Sequence, residues 1–239
     1  MRLLVTRPLE DAAALAATLR ERGHEPILAP LMEIHFREGP PLQLDDYQAV
    51  LATSANGMRA LAKRSARRDI AIFAVGPQTA QTAQALGFGN VRSAAGDAAI
   101  LAASVAQWSA PEKGALLHAA GTETAGNLRQ TLEASGFRVE APILYEAVAT
   151  TTLPIETVIA LQNGTLDGVL LYSPRSAKIF ATLVHRARLH DNCKPLTAFC
   201  ISGATAGALM PLECARVRVA TEPNQEAVLA LLEIGRAHV

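Results

Sequence analysis

The chain has 239 residues, half of them hydrophobic, and its 22 basic residues balance its 22 acidic ones. That length suits one large domain or two small ones, and zero formal charge removes the global pull expected of a nucleic-acid or membrane-surface binder. Three cysteines without a CxxC pair and six scattered histidines without a HExxH spacing predict neither a disulfide framework nor a metal site.

The N-terminus runs from Met1 straight into a structured pattern, with no long apolar segment and small-residue cleavage site, so no signal peptide is expected. No stretch approaches the ~20 apolar residues of a membrane span. A reduced, cytoplasmic protein follows as the expectation. Leu3-Leu4-Val5 predicts a short buried strand, and Ala12, Leu15, Ala16 and Leu19 follow the i, i+3, i+4, i+7 spacing of a helix. Gly23 ends that helix, and Pro26-Ile27-Leu28 opens the next strand. Further strands are predicted at 49–51, 70–75, 115–118, 168–171, 196–201 and 216–219, with helices at 55–66, 77–86, 97–108, 124–135, 175–187 and 225–234. Strands alternating with helices of this length mean βαβ units and parallel sheets, an α/β class.

The chain also repeats itself. Residues 50–56 (VLATSAN) echo 169–175 (VLLYSPR), 73–80 (FAVGPQTA) echo 199–206 (FCISGATA), and 22–30 (RGHEPILAP) echo 135–142 (SGFRVEAP). Two similar α/β units follow, and the repeat alone allows either consecutive halves or an exchange of the first βαβ segment. Gly87-Phe88-Gly89 lacks the third glycine of a dinucleotide fingerprint and follows a helix. With no GxxxxGK[ST] and no GxSxG either, the common nucleotide and hydrolase chemistries are excluded and no cofactor is expected.

Four places share one design of apolar strand, small polar residues and helix: Thr53-Ser54-Ala55-Asn56, Gly76-Pro77-Gln78-Thr79, Ser173-Pro174-Arg175-Ser176 and Ser202-Gly203-Ala204-Thr205. In a parallel sheet such turns lie at the carboxyl ends of the strands, where ligands bind. They offer hydroxyls, helix N–H groups and the positive end of a helix dipole to an anion. Ser and Thr are also ordinary N-caps, but their recurrence in both halves suggests a polyanionic ligand. Thr6 and Arg7 end the first strand, and Arg7 and Arg175 sit at these turns, where the guanidinium fork suits carboxylates. Lys63-Arg64 and Arg67-Arg68 read as a solvated, dipole-compensating helix end. Tyr145, one of three tyrosines, follows the predicted strand around 141–144. It is either a half-buried strand residue or a neutral hydrogen-bond donor.

Taken together, segments 4–8 (LVTRP), 23–31 (GHEPILAPL), 47–56 (YQAVLATSAN), 74–80 (AVGPQTA), 136–145 (GFRVEAPILY), 167–174 (DGVLLYSP) and 200–206 (CISGATA) resemble, in order and spacing, the uroporphyrinogen-III synthase family over essentially the whole chain. The resemblance implies two similar parallel-sheet, flavodoxin-like α/β domains joined by a two-stranded linker. The first combines 1–34 with 149–239, the second is an insertion at 38–145, and the linker strands lie at 32–37 and 143–148, so a hinge is expected. It further implies a monomeric, cofactor-free lyase. The substrate would be hydroxymethylbilane, with eight carboxylates, cyclised to uroporphyrinogen III with loss of water and inversion of the last ring. Tyr145 matches the family tyrosine that assists loss of the hydroxyl. Ser54, Thr79, Ser173 and Thr205 match positions lining the family's interdomain cleft. With Thr6, Arg7, Thr53, Ala55, Asn56, Gly76, Gln78, Pro174, Arg175, Ser176 and Gly203 they form the expected substrate-binding set. The segment around 116–124 departs from the pattern, carrying His118 and Glu123 where the family often has an arginine. The ending at 235–239 matches no family segment.

Two other readings compete. One is a cytoplasmic two-domain polyanion-binding module without catalysis. The other is a phosphosugar isomerase, which would expect a clustered Glu or His base that the repeat does not supply.

Overall fold

The computed structural model describes residues 1–123 and 126–233. The expected strands form because short apolar runs bury both faces of a sheet, which favours a continuous hydrophobic strand over an alternating one. The chain divides into two compact units, one taking residues 1–33 with the chain from 148 onward, the other residues 34–147.

The first unit is built on β1 (Arg2–Val5), β2 (Glu25–Leu28), β11 (Gly168–Leu171), β12 (Thr197–Cys200) and β13 (Arg216–Val219). They lie in the order β13-β12-β11-β1-β2, every pair parallel. Alternate residues take opposite faces. Leu3, Val5, Leu170 and Phe199 pack against α1 (Leu9–Glu21) and α10 (Gln225–Glu233). Leu4, Val169, Leu171, Ala198 and Cys200 pack on the other face, with α6 (Ile155–Gln162), α7 (Pro174–Arg186), α8 (His190–Cys193) and α9 (Gly203–Leu209). Helix α1 buries Ala12, Leu15, Ala16 and Leu19. It stops at Gly23, whose φ of 75° is the left-handed conformation that terminates a helix at little cost only for glycine.

The second unit uses β4 (Tyr47–Ala52), β5 (Ala71–Ala74), β6 (Val91–Ser93), β7 (Ala115–His118) and β9 (Val139–Glu140). Their order is β6-β5-β4-β7-β9, again wholly parallel. Val50, Ala52, Ile72 and Leu117 face α2 (Ala55–Arg64) and α3 (Pro77–Ala85). Ala49, Leu51, Phe73 and Leu116 face α4 (Ala98–Trp108) and α5 (Leu128–Ala134).

The two strand orders are the two familiar doubly wound ones. Numbered along the chain, the first unit reads 2-1-3-4-5 and the second 3-2-1-4-5. Starting the first unit at β11 instead of β1 makes the orders identical. The units are therefore circular permutants, with β11, β12, β13, β1 and β2 standing where β4, β5, β6, β7 and β9 stand. Strands β1 and β2 share a sheet with β11–β13.

The remaining strands, β3 (Met32–Phe36), β8 (Ala120–Gly121) and β10 (Ile143–Ala149), form a three-stranded sheet in the order β3-β10-β8. The chain crosses between units inside β3 and inside β10. Arg37 N–H donates to the Leu144 carbonyl and Thr150 N–H to that of Leu31. The third member of this small sheet, β8, has two residues, too few to show in a pattern.

The basic cluster after α2 keeps Lys63 exposed, but its guanidiniums also tie down nearby backbone. Arg64 donates to the Pro40 and Arg37 carbonyls, and Arg67 to the Leu44 carbonyl and the carboxylates of Asp45 and Asp69. Arg68 donates to the Ala62, Ser65, Arg67 and Leu86 carbonyls and lies over the Phe88 ring at 4.8 Å. These guanidiniums satisfy backbone acceptors that a helix end and its loops leave open. The tail at 235–239 lies outside the described residues, as do the first two positions of the helix expected at 124–135.

Candidate active site

Within each unit the parallel strands bring all their carboxyl ends to one edge, and the edge is most open where the strand order reverses. In the first unit that switch lies between β11 and β1, and in the second between β4 and β7.

At the first unit's edge, Thr6 and Arg7 follow β1. Thr6, 1% exposed, donates its hydroxyl to the Leu170 carbonyl at 2.7 Å, tying β1 to β11. Arg7 is equally committed: Nη2 lies 2.9 Å from Asp11 Oδ2, Nη1 donates to Gln225 Oε1 at 3.2 Å, and the guanidinium stands 4.7 Å over the Tyr172 ring. A buried charge needs such partners, and here they use much of the fork. Tyr172 has its phenol pushed up to about 12 by burial, against the opposing pull of Arg7. It stays protonated, and its buried hydroxyl has no hydrogen-bond partner among the described residues.

The next residue, Ser173, caps α7: its Oγ accepts from Ser176 N–H at 3.0 Å and lies 2.6 Å from Ser176 Oγ. Pro174 at the first helical position has no N–H to leave unsatisfied, and Arg175 is half-buried beside it. At β12, Ser202 caps α9 in the same way, accepting from Thr205 N–H at 3.2 Å, with its Oγ 3.0 Å from the fully buried Thr205 hydroxyl. Gly203 is exposed.

At the second unit's edge, Ser54 caps α2 by accepting from Asn56 N–H at 3.1 Å, and the buried Asn56 accepts from Arg59 at 2.7 Å. Ala55 is buried in this first turn. At β5 the cap is Gly76. No hydroxyl stands there, Pro77 again opens the helix, Gln78 is exposed and Thr79 is buried. Three of the four turns therefore use their serine oxygen as a helix cap. What remains for a ligand is the serine hydroxyl proton and the first-turn N–H groups that a helix cannot satisfy internally.

The segment that departs from the family pattern supplies the partner that spacing did not reveal. His118 ends β7, is 3% exposed, and places Nε2 3.0 Å from Thr53 Oγ1. Burial pulls its pKa down to about 4, so it is a neutral imidazole near pH 7. Its signal was an imidazole at the end of an apolar strand, but the bond spans 65 positions and no local pattern announces it.

Tyr145 lies inside β10, not after a strand. It is 8% exposed and sits opposite Gly121 of β8. A Cβ at Gly121 would stand 2.7 Å from Tyr145 Cζ, so only glycine lets the ring lie there. Among the described residues no group of three or more His, Cys, Asp or Glu side chains could hold a metal ion, and no helix is long and apolar enough to cross a membrane.

Residues 13–230 match the family model described as uroporphyrinogen-III synthase HemD. A Methanocaldococcus jannaschii protein provisionally named uroporphyrinogen-III synthase is 32% identical over 88 residues, which is 34% of this chain and 37% of that protein's own length. The fold is similar to the crystal structure of uroporphyrinogen-III synthetase from Helicobacter pylori, with a TM-score of 0.64 at 19% identity, covering 99% of this chain and all of that one. It is also similar to a mutant uroporphyrinogen III synthase from Thermus thermophilus, with a TM-score of 0.53 at 16% identity and coverages of 99% and 98%.

Proposed function

The chain belongs to the uroporphyrinogen-III synthase family, and from that premise we propose that it cyclises hydroxymethylbilane to uroporphyrinogen III, inverting the last ring and releasing water. The family match over residues 13–230 carries the reading. The sheet edges support it: hydroxyls and helix N–H groups recur at the strand ends of both units, chemistry that suits a ligand bearing many carboxylates. In this reading the enzyme is a cytoplasmic, cofactor-free monomer that binds neither nucleic acid nor membrane. Segments 1–34 with 149–239 and 38–145 act as its domains, and strands 32–37 and 143–148 as their linker.

The bilane loses its terminal hydroxyl as water, leaving an electrophilic methylene-pyrrolenine. Attack through the last ring then passes by a spiro intermediate to the inverted macrocycle. Since the bilane closes unaided to the uninverted isomer I, catalysis consists of folding the chain, holding its ends together and easing hydroxyl departure. Carboxylates accept hydrogen bonds from the first-turn N–H groups of the turns carrying Ser54, Thr79, Ser173 and Thr205, and from the Ser54 and Ser173 hydroxyls. Tyr145 donates to the leaving hydroxyl, for which a neutral phenol suffices without full proton transfer. Tyr145→Phe keeps the ring over Gly121 and removes only the donor, so kcat should fall by about 10²-fold with folding retained. An unchanged kcat would remove Tyr145 from the mechanism.

The activity is tested by generating hydroxymethylbilane in place with porphobilinogen and its deaminase, then separating uroporphyrin isomers after oxidation. A switch from isomer I to isomer III on adding this protein establishes it. Persistence of isomer I with folded protein leaves a polyanion-binding module instead.

A further inference from the structure

We propose that His118 is a positioning residue: its Nε2–H donates to Thr53 Oγ1, so that the Thr53 hydroxyl proton is turned outward to a substrate carboxylate. The proposal rests on the synthase reading for the identity of that carboxylate. It does not rest on it for the tautomer, which can be observed directly.

The geometry begins with the register of the second unit's sheet. Leu51 pairs with His118 across β4 and β7, which places Thr53, two residues on, on the same face as the imidazole and diagonal to it. The 3.0 Å separation of Thr53 Oγ1 and His118 Nε2 is a hydrogen bond in which either group can donate. The turn carrying Thr53 is held against the chain just after His118. Gly57 of α2 lies so close that a Cβ there would stand 2.4 Å from the Ala119 carbonyl oxygen, and Ala119 N–H donates to the Leu51 carbonyl at 3.1 Å. The pair therefore has little freedom to separate.

Burial then divides the labour. His118 is 3% exposed and does not itself meet a ligand, whereas Thr53 is half-buried and does. A neutral imidazole has one N–H and one bare nitrogen. If Nε2 were bare, it would take the threonine proton, and the hydroxyl would present only lone pairs to an anion. If Nε2 carries the proton, it fills one lone pair of Oγ1 and leaves the threonine O–H as a donor. Only this second tautomer makes the edge attractive to a carboxylate, which accepts and never donates when ionised. The pair thus does with two neutral groups what an arginine would do with a charge.

Imidazole 15N NMR on the whole chain reads the tautomer, with His118→Gln used to assign the resonance. Protonation at Nε2 is expected, and protonation at Nδ1 overturns the proposal. Functionally, His118→Phe and Thr53→Val should each raise KM for hydroxymethylbilane about tenfold with kcat little changed, and the double variant should be no worse. His118→Gln restores an amide N–H near the Nε2 position and should recover most of the loss, as should Thr53→Ser at its own position. A merely structural histidine predicts the reverse, since buried phenylalanine would leave KM untouched. A wild-type KM in His118→Phe, or additive losses in the double variant, would overturn the assignment. Calorimetric binding of uroporphyrin III, an octacarboxylate, supplies the same comparison without turnover. If the wild-type protein yields only isomer I, the synthase reading falls while this arm and the NMR still decide the role of His118.

Discussion

The two sheet edges occupy the same place in permuted copies of one architecture, yet they are furnished differently. The repeat aligns Thr53 with Tyr172 and Ser54 with Ser173. The serines keep one role, capping α2 and α7. The residues before them diverge. In the first unit a buried tyrosine lies under Arg7, which is itself neutralised by Asp11. In the second a small hydroxyl is held by a neutral histidine. Backbone architecture is what the copies share, because caps and strand ends are dictated by helix and sheet geometry. The side chains facing outward at the switch are free to specialise.

That contrast is tested most severely at Gly57, whose counterpart in the other unit is Ser176. Gly57→Ala drives a Cβ into the Ala119 carbonyl and should cost about 3 kcal/mol, the upper end of overpacking. Ser176→Ala loses only local hydrogen bonds and should cost about 1 kcal/mol. Urea unfolding of both variants measures the difference, and equal losses would show that the two edges are not separately constrained.

Acid sensitivity comes next. Burial pulls the His118 imidazole from its usual value near 6.5 down to about 4 in the fold, so between those values the unfolded chain binds the extra proton. Its contribution is complete above about pH 6.5 and is lost as the pH falls toward 4, roughly 3 kcal/mol in all. Unfolding free energy measured from pH 7 to pH 4 should lose that component of its slope in His118→Gln. An unaltered slope would assign the acid limb to other groups.

Smaller effects belong to the caps. Ser173→Ala should cost about 1 kcal/mol by removing the acceptor for Ser176 N–H. Gly76→Ser should gain only a few tenths of a kcal/mol, since its position is open, with no atom within 4 Å of a built Cβ. Thermal melts would rank the two, and a large gain at Gly76 would mean that its missing hydroxyl was a cost to the fold.

Much of this architecture was legible because strands buried on both faces announce themselves as apolar runs, as at Ala49-Val50-Leu51 and Gly168-Val169-Leu170-Leu171. Gly23 and the periodic Ala12, Leu15, Ala16 and Leu19 marked α1 for the same local reasons. The helices α6 and α9 were harder. One follows Pro154 directly and the other carries two glycines, so tertiary packing overrides weak propensity. The strand-end turns could be picked out, but their serines' work as caps, the ties that commit Arg7, and the Thr53–His118 bond all depend on contacts across the sheet. The cluster Arg64, Arg67 and Arg68 shows the same limit: charge suggested solvent alone, while the partly exposed guanidiniums also find carbonyls.

The permuted connectivity also shapes the order in which the protein can be made. Strands β1 and β2 leave the ribosome first, but Leu3 pairs with Gly168, so at about 5–20 residues per second the wait is on the order of 10–30 s. Residues 34–147 emerge in full during that interval and can close their own sheet. Meanwhile Leu4, on the face later covered by α6 to α9, stays uncovered on the nascent chain, whereas Leu3 and Val5 already have α1 beside them. Glu25 and Pro26 on β2 blunt one flank of that early βαβ fragment against stray strand pairing. The other flank, the bare edge of β1, is the place where a holding chaperone has most to shield.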